Sequence, residues 1–170
     1  MFSKQLQDEL NEQLKHELFS AHLYLAMAAY SADQDLNGFE NFFKVQAEEE
    51  RFHAMKFFDF INEMGGRTVI KGLDEPHNEY GSVLDAFEKS YEHERFVTKR
   101  IYALMDMATE EREHATVSFL RWFIDEQVEE ESMFLGLIKK LRFVQNNPSG
   151  LYMINAELAN RTFTPPAGEA

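Results

Sequence analysis

Residues 39–64 read FENFFKVQAEEERFHAMKFFDFINEM, and one helical stripe runs through them: Phe39, Phe43, Gln46, Glu50, His53, Phe57, Phe60 and Met64. Alternating three- and four-residue steps predict a helix that buries this face. The stripe is aromatic at both ends, yet its middle carries a carboxylate and an imidazole. An isolated buried carboxylate is costly unless it is neutralised or paired. Three further stripes repeat the interruption. One runs Leu10, Leu14, Glu17, Ala21, Tyr24, Ala28; another Leu84, Phe87, Tyr91, Glu94, Thr98, Ile101, Met105; the last Leu120, Phe123, Gln127, Glu130, Phe134, Leu137, Leu141, Val144. None of the stripes contains Lys or Arg. Four carboxylates converging with one histidine predict a cation held inside a helix bundle.

The rest of the chain punctuates these helices. The first is expected from about Ser3, a plausible cap, to Ala32. The second runs from Phe39 to Met64 and stops at Gly65-Gly66. The third follows Gly81-Ser82 and reaches about Ala108, and the fourth covers Glu113 to Val144, ending at Asn146-Asn147-Pro148. Short links make helices one and two, and helices three and four, antiparallel. The link from Gly65 to Ser82, about 18 residues, is long for a bundle. Extended, it reaches roughly 55–60 Å, whereas a helix of about 26 residues spans roughly 39 Å. It can therefore return along the whole bundle and leave helices two and three parallel, the connectivity of ferritin-like bundles. The chain reads as one all-α domain over 1–170: a four-helix bundle over about 3–144, a short fifth helix at about 149–160 and a loose tail over 161–170. Leu151, Tyr152, Ile154 and Leu158 of the fifth segment exceed what a four-helix core needs, which suggests a contact between copies of the chain.

Composition narrows the function classes. A net charge of −13 argues against nucleic acid, whose phosphates need basic patches. It suits cation attraction, although solubility alone also explains it. There is no cysteine, hence no disulfide, thiol nucleophile or thiolate metal site. No apolar run of membrane-spanning length appears, and the opening residues lack a signal-peptide core. A cytoplasmic address without a membrane partner is the expectation.

Positions three apart share a helix face, so Glu50 and His53 can bind one ion. The pair alone decides nothing, because 22 Glu and 6 His in 170 residues give roughly 0.8 such pairs by chance. A second pair, Glu111 with His114, lies in the hydrophilic run between helices three and four and reads as a solvated helix end. What separates Glu50 and His53 is their place between Phe43 and Phe57. Carboxylates with a single imidazole suit iron or manganese rather than structural zinc, and iron adds redox chemistry with dioxygen. Glu49, Glu126, Glu129 and Glu131 flank the stripes as a second acidic layer. It is either a solvated face or, through Glu49, Glu126, Glu129 and Glu130, a third cation position. Tyr24 is placed to hydrogen-bond a metal-bound carboxylate or supply an electron. Trp122 reads as packing or as a reductant. The acidic run Glu110, Glu111, Glu113 is a candidate access route in an assembled shell. His16, His22 and His93 fall beside the stripes, and no methionine is assigned as a haem ligand.

With these residues in view, the chain resembles the non-haem bacterial ferritins over nearly its whole length. Glu17, Tyr24, Glu50 with His53, Glu94, and Gln127 with Glu130 carry the resemblance. It implies a di-iron ferroxidase centre, one iron held by Glu17, Glu50 and His53, the other by Glu50, Glu94 and Glu130 with Gln127 close by. Glu49, Glu126 and Glu129, with Glu130, match that family's third iron position. The resemblance further implies oxidation of ferrous iron by dioxygen or hydrogen peroxide, no haem, and a 24-subunit shell storing ferric oxide mineral. Bacterioferritins and rubrerythrins carry a second Glu-x-x-His where this chain has Gln127-Val128-Glu129-Glu130. Di-iron oxygenases are larger, and a helical cytokine-like ligand or assembly module does not need the central carboxylates.

Overall fold

The computed structural model describes residues 2–165, which form five helices and no strand. They are α1 (Lys4–Asp33), α2 (Asn37–Glu63), α3 (Val83–Glu110), α4 (His114–Phe143) and α5 (Pro148–Leu158). Side-chain oxygens set the starts. Ser3 accepts from the Leu6 amide at 3.0 Å, Ser82 from Asp85 at 3.1 Å and Glu113 from Thr116 at 3.2 Å. Asn147 does the same for Gly150, with Pro148 in the first turn. Asn147-Pro148 therefore opens α5 ahead of Leu151, besides marking where the fourth helix has ended.

Three helices close on one device, a residue at positive φ followed by an amide that reaches back over the last turn. Gly65 (φ 76°) ends α2, and the Gly66 amide donates to the Ile61 carbonyl at 2.9 Å. Asp35 and Arg112, both at φ 56°, end α1 and α3 in the same way. The reversals that follow are tight, so α1–α2 and α3–α4 are antiparallel hairpins.

The long connection behaves as its length predicts. Its Val69 amide donates to the Asn11 side chain at 2.6 Å, its Lys71 pairs with Glu12, and Tyr80 meets Tyr30 edge-on at 5.2 Å. It thus climbs α1 from the first turns to the last. Phe87 near the start of α3 then lies 5.8 Å from Phe39 and 5.1 Å from Phe42 near the start of α2. Helices α2 and α3 run parallel.

The bundle interior is two apolar clusters rather than one. The first gathers Tyr24, Met27, Phe39, Phe42, Phe43, Phe87 and Phe134, and the second Leu6, Leu10, Leu14, Phe57, Ile61, Ile101 and Phe123. Between them each long helix contributes buried polar residues.

Helix α5 corrects one expectation. Ile154 and Leu158 are buried in the first cluster and Leu151 packs against it, so three of the four apolar residues are satisfied within the chain. Tyr152 remains 72% exposed and its neighbour Met153 73%. Asn155 explains the docking: its side-chain oxygen accepts from the Gly38 and Phe39 amides at 2.8 and 3.2 Å. That caps α2, whose own cap position, Leu36, has no acceptor side chain. The tail expected to be loose is partly held. Asn41 donates to the carbonyls of Leu158 and Arg161, both at 3.0 Å, and Phe163 lies 5.6 Å from Phe52. The remainder of that tail, 166–170, lies outside the described residues. No helix among them is long and apolar enough to cross a membrane.

Candidate metal centre

The polar layer between the two apolar clusters is where the four stripes carry their carboxylates. Glu17 comes from α1, Glu50 and His53 from α2, Glu94 from α3 and Glu130 from α4, and none is more than 4% exposed. The three-residue step within α2 sets His53 Nδ1 3.3 Å from a Glu50 oxygen. Glu17, Glu50 and His53 each offer a ligand atom within 4.8 Å of one another, and so do His53, Glu126 and Glu130. His53 is common to both groups, its Nε2 lying 3.8 Å from Glu126. Glu94 enters neither group; one of its oxygens accepts from the Tyr24 hydroxyl and the other from Gln127 at 3.1 Å.

A collar of amides and hydroxyls orients the carboxylates. Gln13 donates to Glu17 at 2.8 Å, one helical turn along α1. Gln46 stands in the same i, i+4 relation to Glu50 and donates to it at 3.2 Å, and to both Glu130 oxygens at 3.0 and 2.9 Å. Thr98 donates to Glu131 at 2.6 Å and accepts from Gln127 at 3.3 Å. The recurring Gln-x-x-x-Glu spacing in α1 and α2 was a signal available in the sequence for Gln13 and Gln46. The bonds across to Glu130 were not.

Burial dominates the electrostatics. It pushes Glu17 up to about 8, with Glu50 adding like-charge repulsion. Burial and the neighbouring Glu94 carboxylate raise Glu50 well above the usual range, and burial with Glu94 and Glu50 does the same to Glu130. Glu94 also rises through burial, opposed by the Tyr24 and Gln127 hydrogen bonds. Among the described residues no Lys or Arg is salt-bridged to any of these four. Hard anionic oxygens with one imidazole and no resident cation fit a divalent or trivalent metal ion well.

The second acidic layer is divided. Glu126 lies beside His53, whereas Glu129 is exposed and joins neither group of ligand atoms. Glu49 is ion-paired with Arg161. An open cleft of about 380 Å³, lined by Glu49, Phe52, His53, Trp122, Glu126 and the chain at Thr162–Thr164, leads to the layer. Trp122 stands edge-on to His53 at 5.3 Å and under Lys56 Nζ at 4.3 Å, so it packs directly against the centre. Elsewhere the acidic run has separate tasks. Glu113 caps α4, Glu111 accepts from Ser3 at 2.6 Å, and Glu110 borders a surface groove with Gln5 and Asp106. Glu111 and His114 are both exposed at the helix break.

Comparison with known proteins agrees with this architecture. Residues 7–144 match the family described as Ferritin-like domain. The chain is 45% identical over 163 residues to the bacterial non-heme ferritin of Staphylococcus saprophyticus, covering 96% of this chain and 98% of that one. The Staphylococcus aureus (strain USA300) protein of the same name is 44% identical with the same coverage. Among solved structures, an engineered closed form of the Archaeoglobus fulgidus ferritin superposes with a TM-score of 0.95 at 45% identity, over 96% of this chain and all (100%) of that one. An open-pore ferritin from the same archaeon gives 0.94 at 44%, over 95% of this chain and 100% of that one. The chain belongs to the ferritin family of iron-storage proteins.

Proposed function

We propose that the protein oxidises ferrous iron at the polar layer and stores the ferric product as a hydrated oxide inside a closed assembly of its own copies. The observation that carries this reading is four buried carboxylates, one from each long helix, gathered with a single histidine and, among the described residues, no Lys or Arg salt-bridged to them. Iron is the substrate. Glu17, Glu50 and His53 would receive one ferrous ion, and Glu50, Glu94 and Glu130 the second, with Gln127 orienting Glu94. Binding expels the protons that burial keeps on these carboxyls. Two ferrous ions deliver two electrons to dioxygen, which leaves with two protons as hydrogen peroxide. Hydrogen peroxide can itself serve as oxidant. Anionic ligands favour the ferric state, and Tyr24, bonded to Glu94, holds that carboxylate as the charge changes.

Glu49, Glu126 and Glu129, with Glu130, would form a third position on the route between the centre and the mineral. Exposed Phe143 (92%), Tyr152 and Met153 near the α4–α5 corner offer surface for subunit contacts. Solved ferritins described as open-pore and closed forms support an assembly with pores; a 24-subunit shell in the cytoplasm is the reading we adopt. The test is Glu130→Ala. It should lower the initial rate of iron oxidation by on the order of 100-fold, since even indirect metal-site partners are worth 10–100-fold. The fold should survive, because removing one carboxylate relieves like-charge repulsion. Normal initial oxidation in that variant would refute the assignment.

A further inference from the structure

Arg161 is ion-paired with the acidic layer around the centre through Glu49. It comes from the chain after α5, far in sequence from α2, yet it is fixed at several points. Its guanidinium donates to Glu49, to the Gln46 side-chain oxygen at 2.8 Å and to the Phe42 carbonyl at 3.2 Å, and lies 4.3 Å over the Phe42 ring. Asn41 holds the backbone of the same residue. A planar fork satisfying three acceptors at once is a task for arginine rather than lysine.

The contact with Gln46 matters as much as the ion pair. An amide can present either its oxygen or its nitrogen to a neighbour. With Arg161 on the oxygen, the nitrogen must face Glu50 and Glu130, as observed. Both Glu130 oxygens are thereby engaged while Arg161 is in place.

We propose that Arg161 is a built-in counter-ion of the third cation position: it neutralises Glu49 in the metal-free centre, and a metal ion that takes Glu49 displaces it. This rests on the third position of the proposed function. Displacement frees the Gln46 amide to turn away from Glu130, so occupation of the third position and release of Glu130 toward the central ions are coupled. Arg161 acts as a positioning residue, and the chain at Thr162–Thr164, which forms one wall of the cleft, moves with it.

The test is anaerobic calorimetric titration of the whole metal-free protein with ferrous iron, before any oxidant is added. In Arg161→Gln the third equivalent should bind about tenfold tighter, the effect of removing one charge-assisted competitor, while the first equivalent, which Glu17, Glu50 and His53 would hold without Glu130, is unchanged. Arg161→Lys, which keeps the charge but not the planar fork, should fall between the parent protein and Arg161→Gln. Adding Glu49→Gln to Arg161→Gln should abolish the gain. A gain that persists without Glu49 would mean a general charge effect and overturn the proposal. So would a third equivalent that is unchanged, weaker or absent, or a loosening of all three together, which marks a merely structural role. Failure of the parent protein to bind the first two equivalents would instead remove the metal-centre reading, and this inference with it.

Discussion

Glu17 illustrates how a single residue ties the fold to its chemistry. It lies between two apolar clusters, receives one amide hydrogen bond from Gln13, and holds its proton to about pH 8 because burial and Glu50 both oppose its charge. In an unfolded chain it ionises near the ordinary 4.5. Between those values the folded metal-free protein binds more protons than the unfolded one, so its stability falls as pH rises from about 4.5 to about 8. Thermal melts of metal-free protein should show that fall, and Glu17→Gln should flatten it, gaining on the order of a few kcal/mol at pH 8 and little at pH 5. Equal pH slopes in the two proteins would contradict the burial argument. The sequence exposed Glu17, Glu50, His53, Glu94 and Glu130 because a carboxylate amid Phe and Leu breaks a periodic pattern. It did not expose Arg161, whose partners Glu49 and Gln46 lie 112 and 115 residues away and leave no local trace.

At the scale of elements, chain length did what local pattern could not. The Gly65–Ser82 connection has no helical period, yet its reach alone predicted a crossover, and Asn11, Glu12 and Tyr30 bear out its path along α1. Helix α5 was less legible. Its apolar residues announced a buried face, but which surface received them depended on Asn155 capping α2 across the corner. A Cβ at Gly38 would stand 1.6 Å from the Asn155 carbonyl oxygen, so helix and backbone approach as closely as glycine permits. Gly38→Ala should therefore cost about 1–3 kcal/mol by overpacking, and Asn155→Ala about 1 kcal/mol by loss of the cap. Both should raise protease sensitivity at α5, while Tyr152→Ser leaves it unchanged. Unaltered stability of Gly38→Ala would show that the corner adapts and that α5 is only loosely docked.

For the whole molecule, splitting the core into two aromatic-rich halves lets a layer of ionisable residues exist without unfolding the bundle. Each half supplies apolar burial independently, and among the described residues no buried side-chain nitrogen or oxygen lacks a partner. An assembled shell must also admit cations. Glu110 and Glu111 border a groove at the end of α3, while Glu113 is committed to capping. Replacing Glu110 and Glu111 by Gln should slow iron uptake severalfold at low ionic strength, with oxidation of already bound iron unchanged. Uptake equal to that of the parent protein would assign the groove no part in access. The claim on which everything else depends is that the central layer is an oxidising iron centre. The measurement that tests it most directly is oxygen consumption as ferrous iron is added stepwise to metal-free protein. A fast phase that saturates at about two or three irons per chain, in keeping with a two-metal site plus the third position, is the predicted result. Oxygen consumption no faster than in buffer, at every addition, would contradict it.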